Sequence, residues 1–448
     1  MSGAASALDE SADGVGAEEA GSWRPTRSLP LGHLARISAY WLGLTAIDGS
    51  VNGAVQSRIE YEQLVPKLDQ GLALREIGIL ALIIGIIVQP TVGSISDYTV
   101  SRWGRRKPYI LFGSLLDVVI LLAIASSHTV IALAAFVALL SFSTNIARGP
   151  FQGYVPDLVP DHQVGLASAM VGLMQILGNV VGFGLVAVAN IVNNVAFAII
   201  GVAVVELITM LSVVIRVDDG PPPKPRNGKS WWTIAAETWG TDILGHRSYV
   251  YLVASRLFVL AGGATLVNFV VFFLSDSHHQ SQSDAGTVQL AMLAVIVIAN
   301  CIAVVPAARL SDRIGRKPVI YVSCALGFAG LVIAGLSPSI PIALVGAGLF
   351  GLSAGMFLAV DWALMTDIIP RASAGRYMGI SNVATGASTI VALIVGSIAL
   401  DTFNASLGVG AGARAAYLIG AFGFIIGALL LRPVVEPPRR GAAVAAAG

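Results

Sequence analysis

The feature that most constrains this chain is a succession of apolar runs, each long enough to cross a lipid bilayer, separated by short polar loops. A spanning helix needs about 20 mostly apolar residues, because hydrocarbon offers no partner for an exposed backbone N–H or C=O. Runs of that length fall near 36–57, 75–97, 109–127, 130–154, 165–190, 195–216, 248–275, 286–310, 318–337, 341–366, 377–401 and 413–432. Twelve such runs predict an all-α membrane protein. The 448 residues are 55% hydrophobic and only 12% charged, with a mean hydropathy of +0.79, which lies outside the usual composition of soluble domains.

The placement of the charges predicts orientation. With both ends in the cytoplasm, 21 Lys and Arg residues fall in inner loops and tails, whereas four (Arg58, Lys67, Arg75, Arg414) fall in outer loops. The other two, Arg148 and Arg256, lie inside spans. The positive-inside rule then expects a multi-pass protein of the cell inner (plasma) membrane with both termini cytoplasmic. The longest inner connection, 217–246, contains PPPKP and predicts a cytoplasmic linker between six-helix halves at 36–216 and 247–432. Residues 1–35 are acidic at the start and lack a signal peptide's apolar core, and 433–448 are poor in core-forming residues, so both are expected to be disordered tails. A net charge of +1, carried in short clusters, does not suit nucleic-acid binding. Cys301 and Cys324 lie in apolar segments and predict neither a disulfide framework nor a zinc site. His278 and His279, in an outer loop, are expected to be exposed polar residues rather than metal ligands, and no cofactor is expected.

An internal repeat divides the chain. PDLVPDHQVG (156–165) and TDIIPRASAG (366–375) share Asp, then Pro three residues on, then Gly five beyond, at an offset of 210. The basic loops RWGRRKP (102–108) and RIGRKP (313–318) recur at an offset of 210 to 211. Two unrelated landmarks with one period predict two parallel six-helix pseudo-repeats.

GSISDYTVSRWGRRKPYI (93–110) resembles the loop between the second and third helices of major facilitator superfamily transporters. In most of that superfamily Arg follows Asp directly. Here Asp97 and Arg102 are five apart, which resembles the sucrose transporters and related glycoside-pentoside-hexuronide cation symporters. The second copy, RLSDRIGRK (309–317), keeps Asp312 and Arg313 adjacent. The resemblance implies the major facilitator fold, a solute site near the midplane between the halves, and a charged loop cluster that latches one conformation. The expected latch residues are Asp97, Arg102, Gly104, Arg105, Arg106, Asp312, Arg313 and Arg316. Asp97 ends a helix, where a carboxylate can meet basic side chains and a neighbouring helix N-terminus.

Six ionisable residues sit within spans: Asp48, Asp117, Arg148, Glu206, Arg256 and Asp361. Each costs on the order of 3 kcal/mol if it meets lipid, so each is expected to face protein or water. Trp41, Thr45, Asp48, Asn52 and Gln56 are spaced four, three, four and four along the first span, and Ser141, Asn145, Arg148 and Gln152 are spaced four, three and four along the fourth. Two polar stripes predict a cavity whose amides, hydroxyls and Trp face suit a sugar. The expected solute-binding residues are Trp41, Thr45, Asn52, Gln56, Asn145, Arg148, Gln152, Arg256 and Asp361, with Asp48 and Asp361 as proton-coupling groups. Asp117 and Glu206, on peripheral spans, have no assigned role beyond structure. Relative to the sucrose transporters, aligned on Gly149 and Pro150, Ser141 replaces an Asp and Gln152 an Arg, while Arg148 lies one turn earlier.

The leading expectation is therefore a secondary transporter, a proton-coupled symporter of a sugar or similar small polar solute acting as a monomer by alternating access. A proton-driven exporter of drugs or amphipathic metabolites is the alternative; ILGNVVGFG (176–184) has glycines but not the Gly-Pro pair many such antiporters carry. No span carries a nucleophile–base pair or ligand cluster for an intramembrane enzyme, and no G-x-x-x-x-G-K-[ST] loop supports an ATP-driven pump.

Overall fold

A computed structural model describes residues 28–160, 163–217, 228, 230, 231, 233, 247–368 and 374–436. The expected linker and both tails fall wholly or largely outside these residues, as does much of the second Asp-Pro-Gly element at 366–375. The described residues form twelve long helices: α1 Leu31–Tyr61, α2 Gln70–Ser96, α3 Lys107–Ser126, α4 Val130–Phe151, α5 Val164–Ile191, α6 Val195–Arg216, α7 Arg247–Asn268, α8 Gln282–Ile314, α9 Arg316–Leu336, α10 Ile340–Ile368, α11 Ala374–Leu407 and α12 Ala411–Leu430.

Eleven helical segments are long and apolar enough to cross a membrane, and α1 is the long helix that falls short of that apolarity. The reason is its sequence: Asp48, Asn52, Gln56, Arg58 and Glu60 crowd its second half, where Gln56, Arg58 and Glu60 are buried against other helices and Asp48 is exposed. Several helices outrun the bilayer. At about 1.5 Å per residue, the 33 residues of α8 span roughly 50 Å against a hydrocarbon core of about 30 Å. The span expected at 248–275 is broken: α7 ends at Asn268, and a short helix at Val270–Phe272 leads into a π-helical turn at Phe273–Ser277.

Packing repeats with the sequence. In the first half α1 lies against α5 and α6, α2 against α4, and α3 against α4 and α6; in the second half α7 lies against α11 and α12, α8 against α10, and α9 against α10 and α12. The two halves meet along α2 with α11 and α5 with α8, so the interface obeys the same two-fold relation. Small residues set the closest approaches. A Cβ on Gly178 or Gly182 of α5 would strike the α1 backbone at Leu42 or Ala46, and one on Gly351 or Gly355 of α10 would strike α8 at Ile296 or Asn300. The two basic loops share a backbone feature as well, since Gly104 has φ +100° and Gly315 φ +107°, a region that L side chains adopt only under strain.

Candidate functional site

The described hydrogen bonds between the halves lie at one end of the bundle, where α1, α5 and α7 end and α2 and α8 begin. Asn52 donates to Asn268 Oδ1 at 2.7 Å, and Gln56 donates to Val267 O at 3.1 Å and to Asn52 Oδ1 at 2.7 Å. Beyond them Glu60 accepts from Lys67 and Ser275, while Lys67 also reaches Asp276 at 2.9 Å. Alongside, Gly71 N–H donates to Asp401 at 2.8 Å, and Asn190 of α5 donates to Gln289 of α8 at 2.8 Å. This end is closed.

One turn before Asn52, on the face that meets α7, Asp48 pairs with Arg148 of α4 at 2.7 Å. The Asp48 side chain is 51% exposed and that of Arg148 17%, so the pair borders open space beneath the closed end. Arg148 also donates to Leu44 O at 3.2 Å. Below the pair, Trp41 is half-buried, its ring 5.8 Å from that of Phe151.

The second half repeats the arrangement with the signs exchanged. Arg256 of α7 is ion-paired with Asp361 of α10, at offsets of 208 and 213 residues from Asp48 and Arg148 respectively. This pair is buried, Asp361 being 1% and Arg256 7% exposed. Thr385 of α11 lies 3.4 Å from Arg256 Nε, and the guanidinium sits 5.9 Å from the ring centroid of the exposed Trp362. A cavity of about 560 Å³ between α2 and α4, lined by Ile84, Ile87, Val88, Leu139 and Phe142 among others, offers a polar solute no hydrogen bond.

The other stripe residues divide among different tasks. Thr45 donates to Trp41 O and reaches Gln175 O on α5 at 3.2 Å, so it lies at a helix contact. Asn52 and Gln56 belong to the closed end. On α4, Ser141 bonds to Ala81 O of α2, and Asn145 bonds back to Ser141 O at 2.7 Å. Gln152 caps α4 and is half-buried.

At the opposite end of the bundle a charged cluster joins α2, the α2–α3 loop and the short helix Tyr154–Leu158 that follows α4. Arg106 reaches Asp97 at 2.8 Å, Asp157 at 2.8 Å and Pro150 O at 2.9 Å, and Arg105 also pairs with Asp157. Both arginines are 5% exposed. The left-handed Gly104 turns the loop back so that they point inward, while Arg102 lies over Trp103 at 5.5 Å. In the second half Arg316 reaches Asp312 at 2.7 Å and its N–H donates to Glu436 at 2.7 Å; Arg313 is exposed. Sequence reasoning did not single out Asp157, Glu60, Lys67, Asp276, Asn268 or Thr385. Asp157 had a signal, as the Asp of the repeated Asp-Pro-Gly element; the others stand in no local pattern.

Two six-helix repeats, symmetric packing and two charge pairs in the middle of the bundle, one beside open space and one buried, define a membrane transporter rather than an enzyme. The sequence profile of the Major Facilitator Superfamily matches residues 44–256 and 253–447. The chain belongs to that superfamily. Among its relatives, the sucrose transport protein SUT1 of Oryza sativa subsp. japonica is 30% identical over 170 residues, 32% of each chain. The membrane-associated transporter protein of Homo sapiens is 37% identical over 100 residues, 19% of each chain. The chain thus matches about a third or less of these relatives' length. Among solved structures, a variant of the nucleoside transporter NupG superposes with a TM-score of 0.71 at 14% identity, covering 91% of this chain and all (100%) of that one. A variant of the peptide transporter POT superposes with a TM-score of 0.68 at 13% identity, covering 91% and 95%.

Proposed function

We propose that this transporter is a proton-coupled symporter of a sugar or similar small polar solute, working by alternating access. Both termini lie in the cytoplasm of a plasma membrane, so the end bearing the α2–α3 loop is the cytoplasmic one and the described state is closed to the outside. The observation that carries the reading is the half-exposed Asp48–Arg148 pair, set in the middle of α1 on the face turned to the second half. An intramembrane carboxylate held there by a guanidinium can exchange a proton with the open space, and the guanidinium freed by that exchange presents a planar fork of donors to hydroxyl groups. The partial match to sucrose transport proteins supports a sugar as the solute class.

Purified protein in proteoliposomes, offered a panel of mono- and disaccharides with and without an imposed inward proton gradient, tests the reading. Accumulation above the external concentration, dependent on the gradient and abolished by a protonophore, is the expected result. Gradient-driven loss of an amphipathic solute from the lumen, with no sugar uptake, would instead establish the exporter.

A further inference from the structure

Away from the Asp48–Arg148 pair, a second polar cluster lies sealed within the first half, where α1, α3, α4 and α6 meet. Asp117 of α3 and Glu206 of α6 are both 0% exposed. One oxygen of Asp117 accepts from Ser143 and from Thr144 at 3.0 Å, both on α4. One oxygen of Glu206 accepts from Tyr40 of α1 at 3.4 Å, and Ser114 of α3 bonds to the same Tyr40 hydroxyl. The remaining oxygens, Asp117 Oδ2 and Glu206 Oε2, have no donor. The helices that carry them, α3 and α6, pack against each other, and each carboxyl group feels the other as a neighbour.

Two ionised carboxylates cannot satisfy one another, because each is an acceptor without a donor. Buried side by side they would also repel in a medium of low dielectric. A single proton resolves both difficulties, since a carboxylic acid can donate to the neighbouring carboxylate. We infer that Asp117 and Glu206 form a carboxyl–carboxylate pair that holds one shared proton inside the first half, a proton site distinct from the cavity-facing Asp48.

The pair is connected to the cavity. Arg148 is the cation whose charge reaches Asp117 and Tyr40, and it is the same side chain that binds Asp48. The groups facing the acid pair are Tyr40 from α1, Ser114 from α3, and Ser143, Thr144 and Arg148 from α4. Binding of the proton takes the pair from two negative charges to one, and release returns it to two. Each change alters the field at Arg148 and hence its hold on Asp48. A sodium ion fits less well: the Ser143 and Thr144 hydroxyls already direct their hydrogens at Asp117, which leaves the carboxyls facing each other rather than a shell of lone pairs.

The role in transport rests on the proton-coupled reading, but the proton itself is open to direct measurement. Infrared spectra of the purified protein at neutral pH, in H2O and D2O, report the C=O stretch of protonated carboxyl groups. The wild-type protein should show such a band, sensitive to deuteration and equivalent to one carboxylic acid, that is missing from the double variant Asp117→Asn with Glu206→Gln. Each single amide variant should shift or remove it, because each loses one side of the shared hydrogen bond. Identical bands in the wild type and in both single variants would overturn the assignment, whether or not the double variant folds. So would loss of the wild-type band on adding sodium at fixed pH, which would make the occupant a metal ion. If the band behaves as expected while gradient-driven uptake is absent in the wild type, the proton site stands and the symport reading falls.

Discussion

Asp48 on α1 and Arg148 on α4 form a 2.7 Å ion pair whose counterpart in the second half, Arg256 on α7 with Asp361 on α10, carries the same charges in the opposite order. An internal repeat has kept the pair on corresponding helices and exchanged the signs. The two pairs also differ in setting, because the first borders open space and the second is buried. Each therefore tolerates substitution differently, and several measurements follow from that and from the gates around it.

The closed end depends on polar contacts between α1 and α7 that must break for the bundle to open there. Glu60 holds both Lys67 and Ser275, and a hydrogen bond to a charged group contributes about 1.5–3 kcal/mol. Glu60→Gln should shift the population toward opening at this end, and Asn52→Ala, which removes the bond to Asn268, should do so by about 1 kcal/mol. Spin labels at the exposed Val192 and Val409, one in each half, should show a larger long-distance fraction in both variants.

At the opposite end Arg106 connects three acceptors, so the order of effects is fixed by how many contacts each change removes. Asp97→Asn leaves Arg106 with Asp157 and Pro150 O, whereas Asp157→Asn weakens the hold on both Arg105 and Arg106. Asp157→Asn should be the more damaging, by about 1–3 kcal/mol given that its side chain is partly exposed. Gly153→Ala should mimic it, since the added Cβ would overlap the Arg106 guanidinium. Thermal unfolding in detergent gives the ranking, and label distances across the bundle show whether the cluster biases one access state.

Much of the architecture was legible because lipid imposes a simple demand. Length and hydropathy identify spans, and the repeated Asp-Pro-Gly and basic loops identify the halves. The site was less legible. Helical spacing places Thr45, Asp48, Asn52 and Gln56 on one face, yet that face crosses from a contact with α5 to the cavity and then to the closed end as α1 rises through the bundle. The Asp97–Arg102 spacing pointed at this loop, but the turn at Gly104 brings Arg106 rather than Arg102 to Asp97. Asp117 and Glu206 stand 89 residues apart on different helices, so only the tertiary fold shows that they meet.

His278 offers a pH-dependent measurement outside the spans. Its Nε2 is 3.2 Å from Ser337 Oγ and its ring packs edge-on against Phe273. Burial lowers its pKa below the ordinary 6.5, and the charges of Arg414 and His279 lower it further. The folded protein therefore binds this proton less readily than the unfolded chain, and the contribution to stability is present above about 6.5 and is lost as pH falls through the depressed value. An NMR titration should find the His278 midpoint below that of a free histidine, and Arg414→Gln should move it upward. A midpoint unchanged by Arg414→Gln would mean that burial and His279 set it without Arg414.

The charge-inverted pairs make the sharpest prediction, because removing the acid from each should damage a different property. Asp361→Asn leaves Arg256 buried without its counter-ion, a loss of about 3–5 kcal/mol for breaking a buried pair, so the variant should unfold at markedly lower temperature. Asp48→Asn leaves Arg148 beside open space where water can reach it, so stability should fall by less than in Asp361→Asn. Transport should show the reverse order of specificity. Asp48→Asn keeps the shape of the site but removes its titration, so gradient-driven accumulation should vanish while solute exchange across equal concentrations survives. Arg148→Lys keeps the charge but loses the planar fork, and should weaken solute binding more than coupling. Thermal unfolding, counterflow and gradient-driven uptake measured on the same three proteins separate these outcomes. Full accumulation by Asp48→Asn would remove it as the coupling group and leave that role to Asp361, the other acid paired with an arginine at this level of the bundle, or to the Asp117–Glu206 pair.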